Sequence, residues 1–494
     1  MASEFTINKG SKDFGSNFLP TFGQFINGKV VASHSKDSLD VIDPATEKVI
    51  TTVPAGNKQD VDDAVKAARA ALATFRKLVP KDRADLLNAI ADKIQAHRQE
   101  FIDLESLDTG KPIAVSAIDV DLTIDCFRFF AGACRAFNTM GGGQYVAGNT
   151  SLILREPVGV IGVITPWNYP IMMAAWKLGP ILGGGNTVVL KPSEITPLTT
   201  LKLAEVIADI CPAGVVNIVT GTGPEVGNAI SSHPEIDMVA LTGSVNSGRL
   251  VAESAGSTLK RVHLELGGKA PVIIFPDADL DSAAAGIRAA GYWNSGQECG
   301  AGCRVIVHKS VAEEFTKKLV AQVSTLVVGS PSAGADVEIG PLVSKAHFDR
   351  VMKAINLAVE EGATISLGGN SFDEAGYYVA PTVISNVSPT SSIATQEAFG
   401  PVVSIETFED EAEVINRANA TMYGLSASVW TGDAKRSIQL PQELDFGTVW
   451  VNSHLVLANE VPWGGFKGSG FGRDLSVYAM EDFTRTKHVM INHA

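Results

Sequence analysis

The sequence predicts an α/β protein: a doubly wound parallel sheet, a second α/β domain after it, and a small β element made by two distant segments. Three observations carry this. Apolar strands alternate with helical segments over residues 158–266. The alternation restarts after Gly267. Residues 144–156 and 484–492 both have strand character and can pair as a small sheet that contacts another subunit. Strands of parallel sheets are buried on both faces, so they read as unbroken apolar runs.

Residues 24–52 read as short strands joined by turns. Asp60 opens a helix whose Val61, Val65, Ala68, Leu72 and Phe75 share one face. A second amphipathic helix carries Leu86, Ile90 and Ile94, and a third runs over 124–137. Gly141-Gly142-Gly143 breaks the pattern before the strand at 144–156. Strands at 158–165, 187–191, 215–219, 238–242 and 261–266 then alternate with helices at 170–182, 199–210, 224–231 and 247–255. Such sheets bind ligands beyond the carboxyl ends of their strands. In the second domain, strands at 272–275 and 304–307 alternate with helices at 282–290 and 312–326.

A chain of 494 residues implies two or three domains. With 45% hydrophobic residues it can build a large core without a membrane span. The most apolar stretch, 158–182, is interrupted by Pro166, Trp167, Asn168, Lys177 and Pro180, so it reads as a buried strand and a buried helix. The net charge of −14 argues against a nucleic-acid or anionic-membrane partner and favours attraction of small cations. Residues 1–22 are polar and lack the apolar core of a secretory signal, so a cytoplasmic location is expected. The five cysteines (Cys126, Cys134, Cys211, Cys299 and Cys303) include no CxxC pair and imply neither a disulfide framework nor a zinc site.

Six segments carry chemistry. Gly296-Gln297-Glu298-Cys299-Gly300 sets a cysteine among small residues, which let backbone N–H groups approach a reacting atom. Alone, it reads as readily as a structural cysteine. Glu265-Leu266-Gly267-Gly268-Lys269 puts a carboxylate at a strand end, as a general base if burial raises its pKa or else as half of a salt bridge. Pro166-Trp167-Asn168-Tyr169-Pro170 offers an Asn amide to a developing oxyanion, or is a capped turn. Lys191-Pro192-Ser193-Glu194 suits the ribose hydroxyls of an adenosine, or is a helix start with surface charges. Thr242-Gly243-Ser244, followed by Gly248, leads a strand into a helix N-terminus that can hold a phosphate, without being GxGxxG. Glu397-Ala398-Phe399-Gly400-Pro401 can touch a nicotinamide ribose and ring, or is a plain turn.

Together and in this order, the six segments resemble the aldehyde dehydrogenase superfamily, from about Phe25 to the end of the chain, with ELGGK and GQxC as the hallmark pair. The resemblance implies a Rossmann-like NAD-binding domain (25–140 and 159–267), a catalytic α/β domain (268–475), a β oligomerisation domain (141–158 and 476–494) and an N-terminal extension (1–24). It makes Cys299 the nucleophile, Glu265 the general base, and Asn168 with the Cys299 N–H the oxyanion hole. Lys191 and Glu194 match the adenosine-ribose contacts, Gly223, Gly243 and Ser244 the pyrophosphate region, and Glu397 and Phe399 the nicotinamide-ribose side. Thr165, Pro166, Trp167, Gly227, Thr242, Leu266 and Gly267 complete the expected cofactor set; no metal is expected. The implied chemistry is attack of the Cys299 thiolate on an aldehyde, hydride transfer to leave a thioester, and hydrolysis by water that Glu265 activates. Glu194 favours NAD over NADP, because a carboxylate repels a 2′-phosphate; NADP use is expected to be weaker.

Tyr169, Trp176, Trp293 and Trp463 match the aromatic box of betaine-aldehyde and aminoaldehyde dehydrogenases. Such a box holds an ammonium by cation–π attraction, roughly 0.5–2 kcal/mol per contact; core packing is the alternative reading. FRFFAGA, PWNYPIMMAAWKLGP, LKPSEITPLT and EDFTRTKHVM are similar to bacterial γ-aminobutyraldehyde dehydrogenases. Acids ahead of FRFFAGA contact the amine in aminoaldehyde enzymes, which makes Asp119 and Asp121 candidates. Glu298, beside the nucleophile, departs from the pattern: it binds an amine or raises the Cys299 pKa. Trp463 is as in betaine-aldehyde enzymes, and Thr448 matches a position that sets room for a trimethylammonium. The expected function is therefore NAD-dependent oxidation of an ω-aminoaldehyde such as 4-aminobutanal, in the setting of polyamine catabolism. Betaine aldehyde, trimethylaminobutyraldehyde, or a broad range of semialdehydes or aromatic aldehydes are alternatives. Glu265 disfavours a CoA-acylating enzyme, and the intact residue set disfavours a non-enzymatic binding protein. The expected partners are a small-molecule aldehyde and further copies of this chain, as dimer or tetramer.

Overall fold

The structure, a computed structural model, describes residues 5–9, 19–137 and 141–494. Two largely parallel sheets organise it. The first runs, edge to edge, Gly470–Phe471, Arg261–Leu266, Met238–Gly243, Val160–Ile164, Thr187–Lys191, Val216–Ile218, Gln24–Ile26 and Lys29–Val31. Its five central strands are parallel, and antiparallel strands close each edge. The chain winds outward from Val160–Ile164 in one direction, then jumps back to lay Met238–Gly243 on its other side. This switch opens a crevice at the carboxyl ends of those two strands, where Thr165–Tyr169 and Thr242–Ser244 emerge.

Burial explains these elements. Val160–Ile164 and Thr187–Lys191 are buried at every residue, as apolar parallel strands should be. The helix Pro170–Gly183 is buried along its whole length, as fits a segment that is apolar on every face apart from Lys177. Lys58–Phe75 buries the five residues expected on its inner face. It starts earlier than Asp60, because Asn57 caps it by accepting from the N–H groups of Gln59 and Asp60. Pro80–Ala96 buries Leu87, Ile90 and Ile94, with Leu86 left half-buried. The third helix is longer than expected, Ile113–Ala136, and Arg98–Thr109 precedes it. The helix expected at 224–231 splits into a π turn, Gly223–Gly227, and a short helix, Asn228–Ser232.

The second sheet runs Thr364–Leu367, Thr382–Ser385, Val402–Phe408, Arg304–His308, Pro271–Ile274, Ser426–Trp430 and Thr448–Val451, all parallel except the first pair. The chain crosses between the two sheets more often than the expected boundaries allow. Gly470–Phe471 leaves the 268–475 span to pair with Leu264 and Glu265. The helix Ser476–Asp482, placed by sequence with the oligomerisation segment, packs on Ile113–Ala136 and Pro170–Gly183. Of the 1–24 extension, Phe5 joins the core of the second sheet and Gln24 forms part of the first. Residues 1–4, 10–18 and 138–140, which the extension and the boundary at 140 include, lie outside the described residues.

A separate three-stranded sheet is ordered Thr484–Asn492, Asn149–Pro157, Gly142–Val146. The C-terminal strand thus pairs with the segment sequence reasoning chose for it, in unbroken register from Thr484↔Pro157 to Asn492↔Asn149. Among the described residues, no helix is long and apolar enough to cross a membrane.

Candidate active site

The loop before Cys299 bends through three consecutive left-handed residues, Asn294 (φ 51°), Ser295 (φ 56°) and Gly296 (φ 72°). Such strain persists only where surrounding contacts over-determine it. Asn294 Nδ2 donates to the carbonyls of Asn168 and Gln297. Ser295 Oγ exchanges hydrogen bonds with the Gly340 carbonyl and N–H, and Gln297 Oε1 accepts from Val343 N–H. A Cβ at Gly296 would stand 2.0 Å from the Gly400 carbonyl oxygen, so only glycine fits there. The loop delivers Cys299 to the wall of an inner cavity, together with Asn168, Tyr169, Glu265, Glu298, Glu397, Phe399 and Trp463.

Three groups face the thiol from different elements. Glu265, at the end of Arg261–Leu266, is buried. Its Oε2 accepts from Trp463 Nε1 (3.2 Å), and its Oε1 has no hydrogen-bond partner among the described residues. Burial, and then the charge of Asp474, push its carboxyl well above the usual range. Asn168 Nδ2 donates to the Gln297 carbonyl (3.0 Å), which leaves its second hydrogen for an oxygen in the cavity. Glu298 Oε1 accepts from Cys299 Sγ (3.3 Å) and Gly300 N–H (2.9 Å), while its Oε2 accepts from the Tyr169 hydroxyl (2.6 Å). Burial, then Glu298 and Glu265, raise the Cys299 thiol well above its ordinary pKa.

Beneath Glu265 lies an ionic cluster that sequence reasoning missed. Lys177 Nζ donates to both oxygens of Asp474 (2.8 and 2.6 Å), and both side chains are fully buried. His263, two residues before Glu265 on the same strand face, bridges Asp474 and Asp482. Removing one partner of a buried pair strands the other charge. Asp474→Ala should therefore cost about 3–5 kcal/mol of unfolding free energy in urea melts. Adding Lys177→Met should recover most of that loss, since no ammonium is then left unpaired.

The crevice at the switch point forms a cleft of roughly 650 Å³ lined by Thr165, Pro166, Trp167, Lys191, Glu194, Gly223, Gly227, Thr242, Gly243 and Ser244. It shares Pro166, Trp167, Thr242, Gly243 and Ser244 with the inner cavity, where Leu266, Gly267, Glu397 and Phe399 stand. All the residues expected to hold a dinucleotide thus line one connected space. The donor set fits such a group. The buried hydroxyls of Thr165 and Thr242 have no partner among the described residues. Ser244 caps the helix Val245–Gly256, whose N-terminus faces the cleft. Burial opposes ionisation of Glu194, but Lys191 Nζ at 2.9 Å prevails and holds the carboxyl below its usual pKa. Glu397 accepts from Gly268 N–H (2.9 Å), and burial lifts its carboxyl to about 7. A Cβ at Gly267 would lie 2.3 Å from Glu397 Oε2, so this glycine is what lets the carboxylate approach.

On the other side a tunnel reaches the cavity, lined by Asp119, Tyr169, Met172, Trp176, Trp293 and Glu298 among others. Trp463 lines the inner cavity rather than the tunnel. Asp121 belongs to neither: it faces outward and forms a two-pronged ion pair with Arg98 (2.6 and 2.7 Å). Thr448, expected to set pocket volume, lies in the strand Thr448–Val451 and lines none of these spaces. Asp119 is buried against Lys111 Nζ (2.6 Å), and burial raises its carboxyl to about 7. Lys111 also donates to Glu105 (3.3 Å) and stands 4.3 Å from the centre of the Tyr169 ring. Lys111 and Glu105 carry no motif around them, so nothing in the sequence flags them.

Comparison with known proteins agrees with this geometry. The profile of the aldehyde dehydrogenase family matches residues 30–489. The chain is 43% identical over 474 residues to the mitochondrial aldehyde dehydrogenase of Homo sapiens, covering 94% of this chain and 91% of that one. It is 39% identical over 482 residues to the chloroplastic betaine aldehyde dehydrogenase of Beta vulgaris, covering 95% and 96%. A crystal structure of Staphylococcus aureus betaine aldehyde dehydrogenase in complex with NAD+ superposes with a TM-score of 0.93 at 38% identity, covering 96% and 95%. The chain belongs to the aldehyde dehydrogenase family and has its fold. It is an NAD-dependent aldehyde dehydrogenase.

Proposed function

We propose that this enzyme oxidises ω-aminoaldehydes such as 4-aminobutanal to the corresponding acids. One observation carries the reading: among the described residues, the tunnel lining holds two acids, Asp119 and Glu298, and no lysine or arginine, set among Tyr169, Trp176 and Trp293. His454, also in the lining, is held neutral by burial, which lowers its pKa to about 4. Aromatic faces and carboxylates attract an ammonium and repel a carboxylate-tailed semialdehyde.

The residues divide the work. Lys191 and Glu194 would hold the adenosine ribose of NAD+, Thr242, Gly243 and Ser244 the pyrophosphate, and Glu397 with Phe399 the nicotinamide side. NAD+ held there would supply the hydride acceptor. Cys299 Sγ forms the bond to the aldehyde carbon, giving a thiohemiacetal and, after oxidation, a thioester. Asn168 Nδ2 and the Cys299 N–H stabilise the oxygen that becomes negative. Glu265 takes a proton from the water that hydrolyses the thioester. Its presence favours hydrolysis over transfer to CoA.

A second reading, betaine aldehyde or a trimethylaminoaldehyde, is favoured by Trp463 in the inner cavity and by the similarity to the betaine aldehyde dehydrogenases of Beta vulgaris and Staphylococcus aureus. A kcat/KM panel separates the two: 4-aminobutanal, 3-aminopropanal, trimethylaminobutanal, betaine aldehyde, succinic semialdehyde, benzaldehyde and hexanal. The proposal expects 4-aminobutanal to lead. Leadership by betaine aldehyde selects the second reading, and equal values for hexanal overturn both. Trp463→Ala should raise KM for cationic aldehydes about 3- to 30-fold, from a cation–π term of roughly 0.5–2 kcal/mol, with less effect on hexanal.

The protein is further proposed to be a homo-oligomer assembled through the three-stranded sheet. Tyr145, Val146, Leu154, Met490 and Ile491 there are exposed apolar side chains that a second copy would cover. Sedimentation equilibrium that returned a monomer would rule this out.

A further inference from the structure

Glu298 is placed to do more than attract a substrate. It stands in the wall shared by the tunnel and the inner cavity, so the same carboxylate faces the incoming substrate and the nucleophile. It cannot swing away: it is 9% exposed and fixed by Gly300 N–H and Cys299 Sγ on one oxygen and by Tyr169 on the other. All three donors are neutral. Glu298 has no ion-pair partner among the described residues, whereas Asp119, the other acid of the tunnel, is committed to Lys111 at 2.6 Å. Glu298 is therefore the tunnel acid that no ion pair occupies, the one an ammonium would meet.

From this geometry we infer that Glu298 holds Cys299 in its thiol form in the resting enzyme, and that an ammonium in the tunnel releases it by neutralising that carboxylate. The inference rests on the cationic-aldehyde reading. The ionisable groups that line the cavity with the thiol come from several elements: Glu298 on its own loop, Glu265 from the first sheet, Glu397 from the loop before Val402–Phe408, Tyr169 at the helix start, and Arg350 from Lys345–Glu360. After burial, the Glu298 charge is the strongest influence raising the thiol's pKa. When that charge is compensated, the S–H bond breaks, the proton leaves to solvent, and the electron pair stays on sulfur for attack on the aldehyde carbon. Cationic aldehydes then gain a better nucleophile as well as tighter binding, and a neutral aldehyde meets a sluggish thiol.

The test is the alkylation rate of Cys299 in the full-length enzyme at pH 7.5, followed by mass spectrometry. Iodoacetamide forms the S–C bond, iodide leaves, and the proton goes to buffer. Propylammonium carries the cation without a carbonyl, and 1-propanol is its neutral counterpart. Saturating propylammonium should accelerate alkylation about tenfold, equivalent to one pKa unit, and 1-propanol should not. Glu298→Gln should react about tenfold faster than wild type without ligand and lose the response to propylammonium. Unchanged or slower alkylation of wild type with propylammonium overturns the inference. So does Glu298→Gln reacting no faster than wild type, or still responding to propylammonium. If Glu298→Gln does not fold, the wild-type comparison decides alone. If the kcat/KM panel favours cationic aldehydes but propylammonium gives no acceleration, the release mechanism falls and the substrate reading stands. If the panel shows no such preference, the substrate reading falls with it.

Discussion

Cys299→Ala should abolish aldehyde oxidation, lowering kcat/KM by about four orders of magnitude or more, while NAD+ binding is retained. Losses of this size accompany removal of a nucleophile that forms the covalent intermediate, because binding and the oxyanion donors alone sustain only residual catalysis. Binding should survive because Cys299 lies in the inner cavity, outside the cleft of Lys191, Glu194 and Ser244. The fold should survive too. The substitution takes away a small buried thiol whose pKa burial and neighbouring carboxylates raise, and it leaves Glu298 its bonds to Gly300 and Tyr169. Steady-state NADH production and NAD+ titration by calorimetry check the two halves. A variant that kept a tenth of wild-type turnover would transfer the nucleophile's role elsewhere, and Cys303, four residues on, would be the first place to look.

Much of this site was legible because parallel-sheet physics concentrates it. Once the apolar strands were recognised, the segments at their carboxyl ends had to converge, and Asn168, Lys191, Glu194, Thr242 and Glu265 do so. The sequence offered both Asp119 and Asp121 as amine contacts, yet helix geometry separates them. Residues two apart on a helix point some 200° away from each other, so only one can face a tunnel. Asp119 does, and Asp121 meets Arg98 instead. Lys177 stood out in the sequence only as a charge interrupting the most apolar stretch, and a fully buried lysine needs a partner. That partner, Asp474, lies 297 residues away and nothing local marks it. The left-handed run at Asn294–Gly296 was hidden for the same reason. Its cost is met by Gly340, Val343 and Gly400, whose positions depend on the second sheet closing against the first. Chemistry carried by a short motif could be read locally, whereas the ionic and steric support that holds it in place comes from long-range packing.

Glu265→Gln should permit one round of hydride transfer and then stall, with the acyl group left on Cys299. The exchange is nearly isosteric, and the Gln oxygen can still accept from Trp463 Nε1, so the aldehyde-binding cavity keeps its shape. What disappears is the proton acceptor for the hydrolytic water, a contribution of about 10²- to 10⁴-fold. Rapid mixing should show a burst of NADH near one equivalent per site, and intact-mass measurement should show the thioester. Undiminished steady-state turnover would remove Glu265 from the mechanism. The pH dependence carries the same signature. Because the folded-state pKa of Glu265 is raised, wild-type deacylation should weaken as pH falls through that raised value, and the variant should lose this limb. Stability should move the opposite way. A carboxyl whose pKa is raised on folding contributes its stability below the unfolded value, near 4.5, and loses it as pH rises through the folded value. At pH 8 the unfolded chain gains by ionising a carboxyl whose ionisation burial opposes in the fold, a cost the variant does not bear, so Glu265→Gln should melt at a higher temperature there than the wild type, with the gap closing below pH 4. A site residue that destabilises the fold where it works is the trade expected of a general base kept away from water. Higher thermal stability at pH 8 together with a stalled thioester would tie the base role and the burial of Glu265 to the same carboxylate.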